Sequence, residues 1–329
     1  PLIKIKVANR EMPPYYYDTD IGIQELKEDW RLSQEDINTV VAWVDQGSPM
    51  GDPNDMPPPA NLRATDDWSL AAEFGPPDLL APSSPIDVPA AGLDVWHRPI
   101  VKIDGLPENE ERCIKALQVK PRGDAVTVVH HANSTFQLLQ EDGSFRGTGA
   151  RGTEYAMGKL GEIIPDGVCR RIPADSYVRW DIHLYPGGLG MTAANSMIEA
   201  NVVELGIWLH PADYEYEYRQ DLISYNFMEG QRELLVPPNS GFMTQGFRSW
   251  DHPVRIDSFQ PHGHVHLHGM QIKAIYPDGR QEVLSMVSDF DARWHHSYIF
   301  DDDKSPLLPA GTVLVMTGWY ENTADNPLT

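Results

Sequence analysis

The sequence predicts a mostly β protein: two antiparallel β-sandwich domains preceded by a short helical segment and a Pro-rich connector. Three observations carry that prediction. From about residue 101 onward, β-branched and aromatic runs such as DAVTVVHH, YVRWDIHLY, VVELGIWLH, MQIKAIYPDG and TVLVMTGWY alternate with Gly, Pro, Asp and Asn turns. Long helical periodicity is absent from the same stretch. About 225 residues of this texture suffice for two sandwiches. The split falls near 220 to 235, giving β domains over 101–225 and 226–329.

The elements follow in order. Residues 33–45, SQEDINTVVAWVD, read as a helix: Ser33 suits the N-cap, and Asp36 takes the capping-box position three residues on. Ile37, Val40, Val41 and Val44 then fall at i, i+3, i+4 and i+7 and make one apolar stripe. Gly47 and Pro49 stop it. The segment 1–50 that holds this helix is too short for its own core and must pack on something else. Residues 51–100 contain ten prolines, with PPP at 57–59 and PP at 76–77. Such a composition cannot form helix or sheet interior, so it reads as an extended connector. Trp68, Leu70, Phe74, Leu79, Leu80 and Trp96 would adhere it to a surface. Further on, DYEYEYR at 213–219 reads as an alternating edge strand, and the acidic run at 301–303 as a solvated loop.

Composition limits the partners. The chain has 329 residues, 41% of them hydrophobic, and a formal net charge of −22. That charge argues against nucleic acid, which needs clustered Lys and Arg, and against an anionic membrane surface. No run of eighteen apolar residues exists, so no transmembrane helix is expected. The chain starts inside what reads as a folded segment and ends at DNPLT without a closing element, which points to a longer natural protein. Cys113 and Cys169 could close one disulfide in an oxidising compartment, or remain two buried thiols.

Histidine is where the sequence becomes specific. Of twelve histidines, four fall in PHGHVHLHGM, at His262, His264, His266 and His268, on every second residue. If this stretch is extended, all four imidazoles project from one face. Imidazole suits copper, zinc, iron and nickel, so a one-sided row is a candidate metal site; the alternative is a solvated polar face. In VTVVHHAN, His130 and His131 are adjacent near a strand end, and Asn133 and Ser134 fit a turn. Neighbours on a strand point to opposite faces, so both can reach one ion only where the chain is bulged or turning. In VRWDIHLYPGG, Val178, Trp180, Ile182 and Leu184 make an apolar face; Tyr177, Arg179, Asp181, His183 and Tyr185 make the other. His183 is therefore expected on a polar, accessible face. No Gly-rich phosphate loop, nucleophile elbow or HExxH helix is present.

A His-His pair and a later single His in one β domain, with His-x-His in the next, resemble the copper type II, ascorbate-dependent monooxygenases. That superfamily includes peptidylglycine α-hydroxylating monooxygenase and dopamine β-monooxygenase, and the chain is more similar to its large bacterial branch. The stretches that carry the resemblance are VVHHAN, DIHLYPGG, FQPHGH, AIYPDGR, RWHHSY, PLLPAGTVL and ENTADNP, over roughly 100–329. REMPPYYYD with RLSQEDINTVVAWVDQGSP resembles the tail of the c-type cytochrome domain that often precedes these copper domains.

The resemblance implies jelly-roll-like sandwiches after a cytochrome c-like segment, in a periplasmic or secreted protein with two mononuclear copper sites. His130, His131 and His183 would hold the copper that stores and delivers an electron. His262 and His264 would hold the copper at which O₂ is used to hydroxylate a C–H bond of a small-molecule substrate, with a substrate cleft between the domains. His266 and His268 are alternative ligands. Electrons would come from ascorbate, another reductant, or a haem c attached upstream with Met12 as its axial ligand; this chain holds no Cys-x-x-Cys-His. The family's last ligand is a methionine beyond the DNP stretch, so the C-terminal domain is expected to be truncated; Met270 and Met316 are local substitutes outside the motif. A second reading is a degenerate fold of this kind acting as a non-catalytic scaffold or redox-partner subunit of a larger periplasmic complex. A zinc hydrolase lacks an obvious general-base carboxylate beside the histidines, and a copper-storage role lacks clustered methionines.

Overall fold

The computed structural model describes residues 2–27, 29–57, 67–88, 94–107, 109–156, 159, 161–185, 196–198, 202–220, 235–292 and 294–326. Prolines 58 and 59, the PGG after Tyr185, most of the window around 220–235 and the last three residues lie outside them. The chain divides into two compact units: Asn61–Ile223, and Pro1–Ala60 with Ser224–Thr329. The described residues are mostly β, in antiparallel sheets with few helices and no closed barrel. Among them, no helix is long and apolar enough to cross a membrane.

The unit Asn61–Ile223 is built on β1 (Leu79–Pro82), β2 (Val95–His97), β3 (Ile100–Lys102), β4 (Arg112–Pro121), β5 (Val129–Leu139), β6 (Phe145–Ala156), β7 (Val168–Ile172), β8 (Tyr177–Leu184) and β9 (Val203–Leu209). One sheet runs β1–β9–β4–β7, and the other runs β2–β8–β5–β6, with β3 also on β8. The alternation of β8 explains the packing. Val178, Trp180, Ile182 and Leu184 are fully buried in a core that also takes Ala132 and Phe136 of β5, Ile114 and Leu117 of β4, and Leu205 and Ile207 of β9. Two sheets sharing one core make a sandwich. Burial of each large apolar side chain there is worth about 1.5–3 kcal/mol. A disulfide joins Cys113 of β4 to Cys169 of β7, which settles the choice left open by two cysteines.

The stretch 51–100 is not a connector throughout. It supplies β1, at the edge of one sheet against β9, and β2, at the edge of the other against β8. At an edge half of the backbone donors face away from the ladder, so short strands between prolines are tolerated there. In DYEYEYR, only Tyr218 and Arg219 pair, in parallel with β7 at the sheet margin.

In the other unit, α1 (Leu2–Ala8) and α2 (Gln34–Asp45) precede β10 (Ser240–Ser249), β11 (Leu267–Ile275), β12 (Gln281–Val287) and β13 (Val313–Asn322). The α2 capping box forms: Asp36 N donates to Ser33 Oγ at 3.1 Å, and Ser33 N donates to Asp36 Oδ2 at 3.2 Å. Ile37 of its apolar stripe is buried, while Val40, Val41 and Val44 are half-buried. The sheet runs β10–β13–β11–β12, and its core takes Leu267, Met270, Ile272, Leu284, Val287 and Leu314. Tyr15, Tyr17 and Leu26 sit in that same core, so the N-terminal segment gains the apolar partner it needs. Tyr17 OH donates to Ile23 O at 2.8 Å, which satisfies the hydroxyl that burial takes out of water.

Candidate metal centres

A bulge builds the first centre. β5 and β8 pair from Tyr177 opposite Gln137 to His183 opposite His131, and the register then shifts so that Leu184 lies opposite Val129. The extra residue on β5 is His130. A bulge re-aims neighbours that a regular strand would point apart. The three imidazole centroids are 5.2 Å apart for His130 and His131, and 5.0 Å from each of these to His183. One ligand nitrogen from each lies within 4.8 Å of the other two. His130 Nδ1 and His131 Nδ1 are 3.0 Å apart. Two imidazole lone pairs repel at that distance unless a proton or a cation lies between them. Two ligands of one tetrahedral ion at about 2.0–2.1 Å sit roughly 3.3 Å from each other, so this spacing is close to what a shared ion needs. Asn133 and Ser134 continue β5, opposite Asp181 and Trp180, and do not form a turn.

His183 is buried, not accessible. The alternation of β8 does turn it away from the core, but β2 adds to β8 and covers that face. Trp96 lies opposite His183 in the ladder and stacks on it, with centroids 4.4 Å apart and planes 4° apart. Asp94 Oδ2 is 2.8 Å from His183 Nε2. A carboxylate on one ring nitrogen fixes the tautomer and leaves the lone pair on the other. Asp94 escaped the sequence reading, and Trp96 was read only as an adhering apolar residue, because both lie in the proline-rich stretch, 89 positions before His183 in the case of Asp94.

The histidine row does not form one strand face. β11 begins only at Leu267, whose N donates to His264 O at 2.8 Å and closes a turn over Val265 and His266. Gly263 packs so tightly on Leu267 that a Cβ there would lie 2.4 Å from Leu267 Cδ2. His268 is exposed on β11, 3.9 Å from Glu321, and lines an open groove with Phe242, Met243, Trp319 and Tyr320. His266 is half-buried in the turn, where its carbonyl accepts from Glu321 N at 2.8 Å. His262, half-buried, and His264, exposed, remain neighbours with ring centroids 6.0 Å apart. Met270 is buried in the apolar core and Met316 packs against it, so both thioethers are engaged in packing.

Met12 is 49% exposed and lies on the wall of a cavity of about 40 Å³ with Val7, Pro13, Tyr15 and Ile37. That space accommodates a water molecule or so, not a porphyrin. This 329-residue sequence holds no Cys-x-x-Cys-His.

No family model matches the chain, and no curated protein matches it. Among solved structures it is similar to the crystal structure of PBSX exported protein XepA, at 10% identity over 74% of this chain and 86% of that chain, with a TM-score of 0.21. A likeness that slight carries no argument about fold or function.

Proposed function

We propose that the chain is a copper protein of the monooxygenase type, with its first copper held by His130, His131 and His183. What supports this reading is the convergence of three imidazoles from two strands at the β5 bulge, with ring centroids 5.0–5.2 Å apart. Three neutral nitrogen donors suit copper and zinc better than magnesium or calcium. Copper there supplies one-electron chemistry. The chain's own residues do the rest: Asp94 holds the His183 ring in one tautomer, and Trp96 excludes water from one ring face. On this reading His262 and His264 hold a second copper, and the reaction is O₂-dependent hydroxylation of a C–H bond in a small molecule. Ascorbate or another reductant supplies the electrons. The Cys113–Cys169 disulfide suits a periplasmic or secreted location.

Metal analysis of the purified protein, with spin resonance of the oxidised form and O₂ uptake in the presence of ascorbate, tests it. Two type II copper signals per chain and ascorbate-dependent uptake support the enzyme. Copper without uptake favours a redox-partner or scaffold subunit. Zinc in its place, or no metal at all, overturns the copper reading.

A further inference from the structure

The first metal centre has one large conjugated ring at its outer edge. Trp96 stacks on His183 with centroids 4.4 Å and planes 4° apart, and meets His131 edge-on at 5.8 Å. We propose that Trp96 is the electron entry port of this centre, the indole through which a soluble one-electron reductant delivers its electron to the ion held by His130, His131 and His183. This rests on the reading that these histidines hold copper, and it names the route by which that copper is reduced.

The argument begins with strand register. His183 lies opposite Trp96 in the ladder of β8 and β2, and side chains directly opposite on one face lie side by side. β2 is three residues long and sits at the edge of its sheet, so it covers His183 while its own tryptophan stays open to solvent. His131 is 2% and His183 6% exposed, whereas Trp96 keeps 39%. A solute that approaches these two ligands from the side of β2 therefore meets the indole first. An electron crosses such a distance by tunnelling, which decays steeply through gaps and less through conjugated, bonded atoms. The parallel stack leaves one van der Waals gap between the indole and a ligand ring. His130, half-buried, is the competing way in.

Arg98 decides what the indole does with the electron. Its Cζ lies 5.0 Å from the Trp96 ring centroid, and its Nε donates to Asp181 Oδ1 at 2.8 Å, which holds it there. A cation over an aromatic face interacts with the ring's electrons and makes their removal harder. Trp96 is thus a bridge and not a stopping place, and no indole radical forms. One electron leaves the reductant, an enediol such as ascorbate, and one arrives at Cu(II) to give Cu(I), with Trp96 unchanged. A tryptophan that served only as a lid would set how tightly copper is held. One that serves as a port sets how fast it is reduced.

The test uses the full chain carrying His262→Ala and His264→Ala, so that the copper followed is that of the first centre. This parent is loaded with Cu(II) and mixed with ascorbate without O₂, and loss of the spin-resonance signal is timed by freeze-quench. Trp96→Phe and Trp96→Leu are compared with it, and Cu(II) affinity is measured in each by chelator competition. Trp96→Leu is expected to slow reduction by roughly tenfold or more, with affinity and spin-resonance parameters close to those of the parent. Trp96→Phe keeps an aromatic ring on His183 and should fall between the two; it remains informative where the leucine variant folds poorly. Cu(II) should also quench tryptophan fluorescence more in the parent than in Trp96→Phe, which lacks the indole beside the ion. Unchanged reduction rates in both variants would place electron entry elsewhere, at His130 first, and overturn the proposal. A weaker affinity with an unchanged rate would make Trp96 a lid and overturn it as well. A parent that binds no Cu(II) at all would instead bring down the copper reading on which the port depends.

Discussion

Asp94 Oδ2 lies 2.8 Å from His183 Nε2 at the edge of the ring, while Trp96 stacks on one of its faces. The carboxylate does for the ring what partners behind metal-bound histidines do generally: it orients the ring and makes it a better donor. If copper occupies the first site as proposed, Asp94→Ala should weaken Cu(II) binding there about 10–100-fold, measured by chelator competition. Asp94→Asn keeps an acceptor but loses the charge, and should fall between the two. Equal affinity in all three proteins would show that Asp94 has no part in the site.

Midway along β5, where its register with β6 shifts between Asn133 and Thr135, one hydroxyl bridges the two strands. Ser134 Oγ donates to Thr153 O at 2.5 Å and accepts from Thr153 N at 2.9 Å. This leaves no room beside Gly152, where a Cβ would lie 2.1 Å from Ser134 Oγ. Gly152→Ala is expected to destabilise the unit by about 1–3 kcal/mol, seen as a lower urea midpoint with unchanged slope. Ser134→Gly in the same chain should recover part of the loss, because it removes the atoms that collide. An alanine variant as stable as the parent would mean that the β5–β6 contact is looser than these distances.

What could be read from sequence was what depends on neighbours. The buried face of β8, Val178, Trp180, Ile182 and Leu184, follows from a period of two, and the α2 capping box from a three-residue spacing. The need for a bulge at His130 and His131 also follows locally, since a regular strand sends adjacent side chains apart. What failed depends on pairing between distant segments. His183 looked accessible because nothing in its own strand says that β2 will cover it. The four histidines kept their parity but not their strand, because a turn at Val265 and His266 interrupts them and parity is blind to turns.

Cys113 and Cys169 link β4 to β7 across a separation of 56 residues. Cross-linking a span of that length restricts the unfolded chain, and loss of a native disulfide costs about 2–5 kcal/mol. The double variant Cys113→Ala and Cys169→Ala should lower the stability of the sandwich unit by that order under non-reducing conditions. Reductant should lower the parent toward the same value and leave the variant unchanged. A variant with parent-like stability would sink the idea that the bond restrains this fold.

Glu162 and Arg170 form an ion pair in which the guanidinium is 2% exposed and the carboxylate 22%. Burial alone would raise the Glu162 pKa; the positive charges of Arg170 and then Lys159, with hydrogen bonds from Arg170 and Thr153, outweigh it and hold the carboxyl at about 2. The unfolded chain takes up its proton near the ordinary value of 4.5, above the folded one. Stability from this group is therefore fully present above pH 4.5 and is lost as pH falls toward 2. Glu162→Gln leaves Arg170 with the Gln220 amide oxygen at 2.9 Å and without its counter-charge. The variant should lose roughly 3 kcal/mol at neutral pH. The gap between the two proteins in urea unfolding should then close as pH falls from 4.5 to 2.5. A gap that stays constant through that window would mean that Glu162 contributes shape rather than charge.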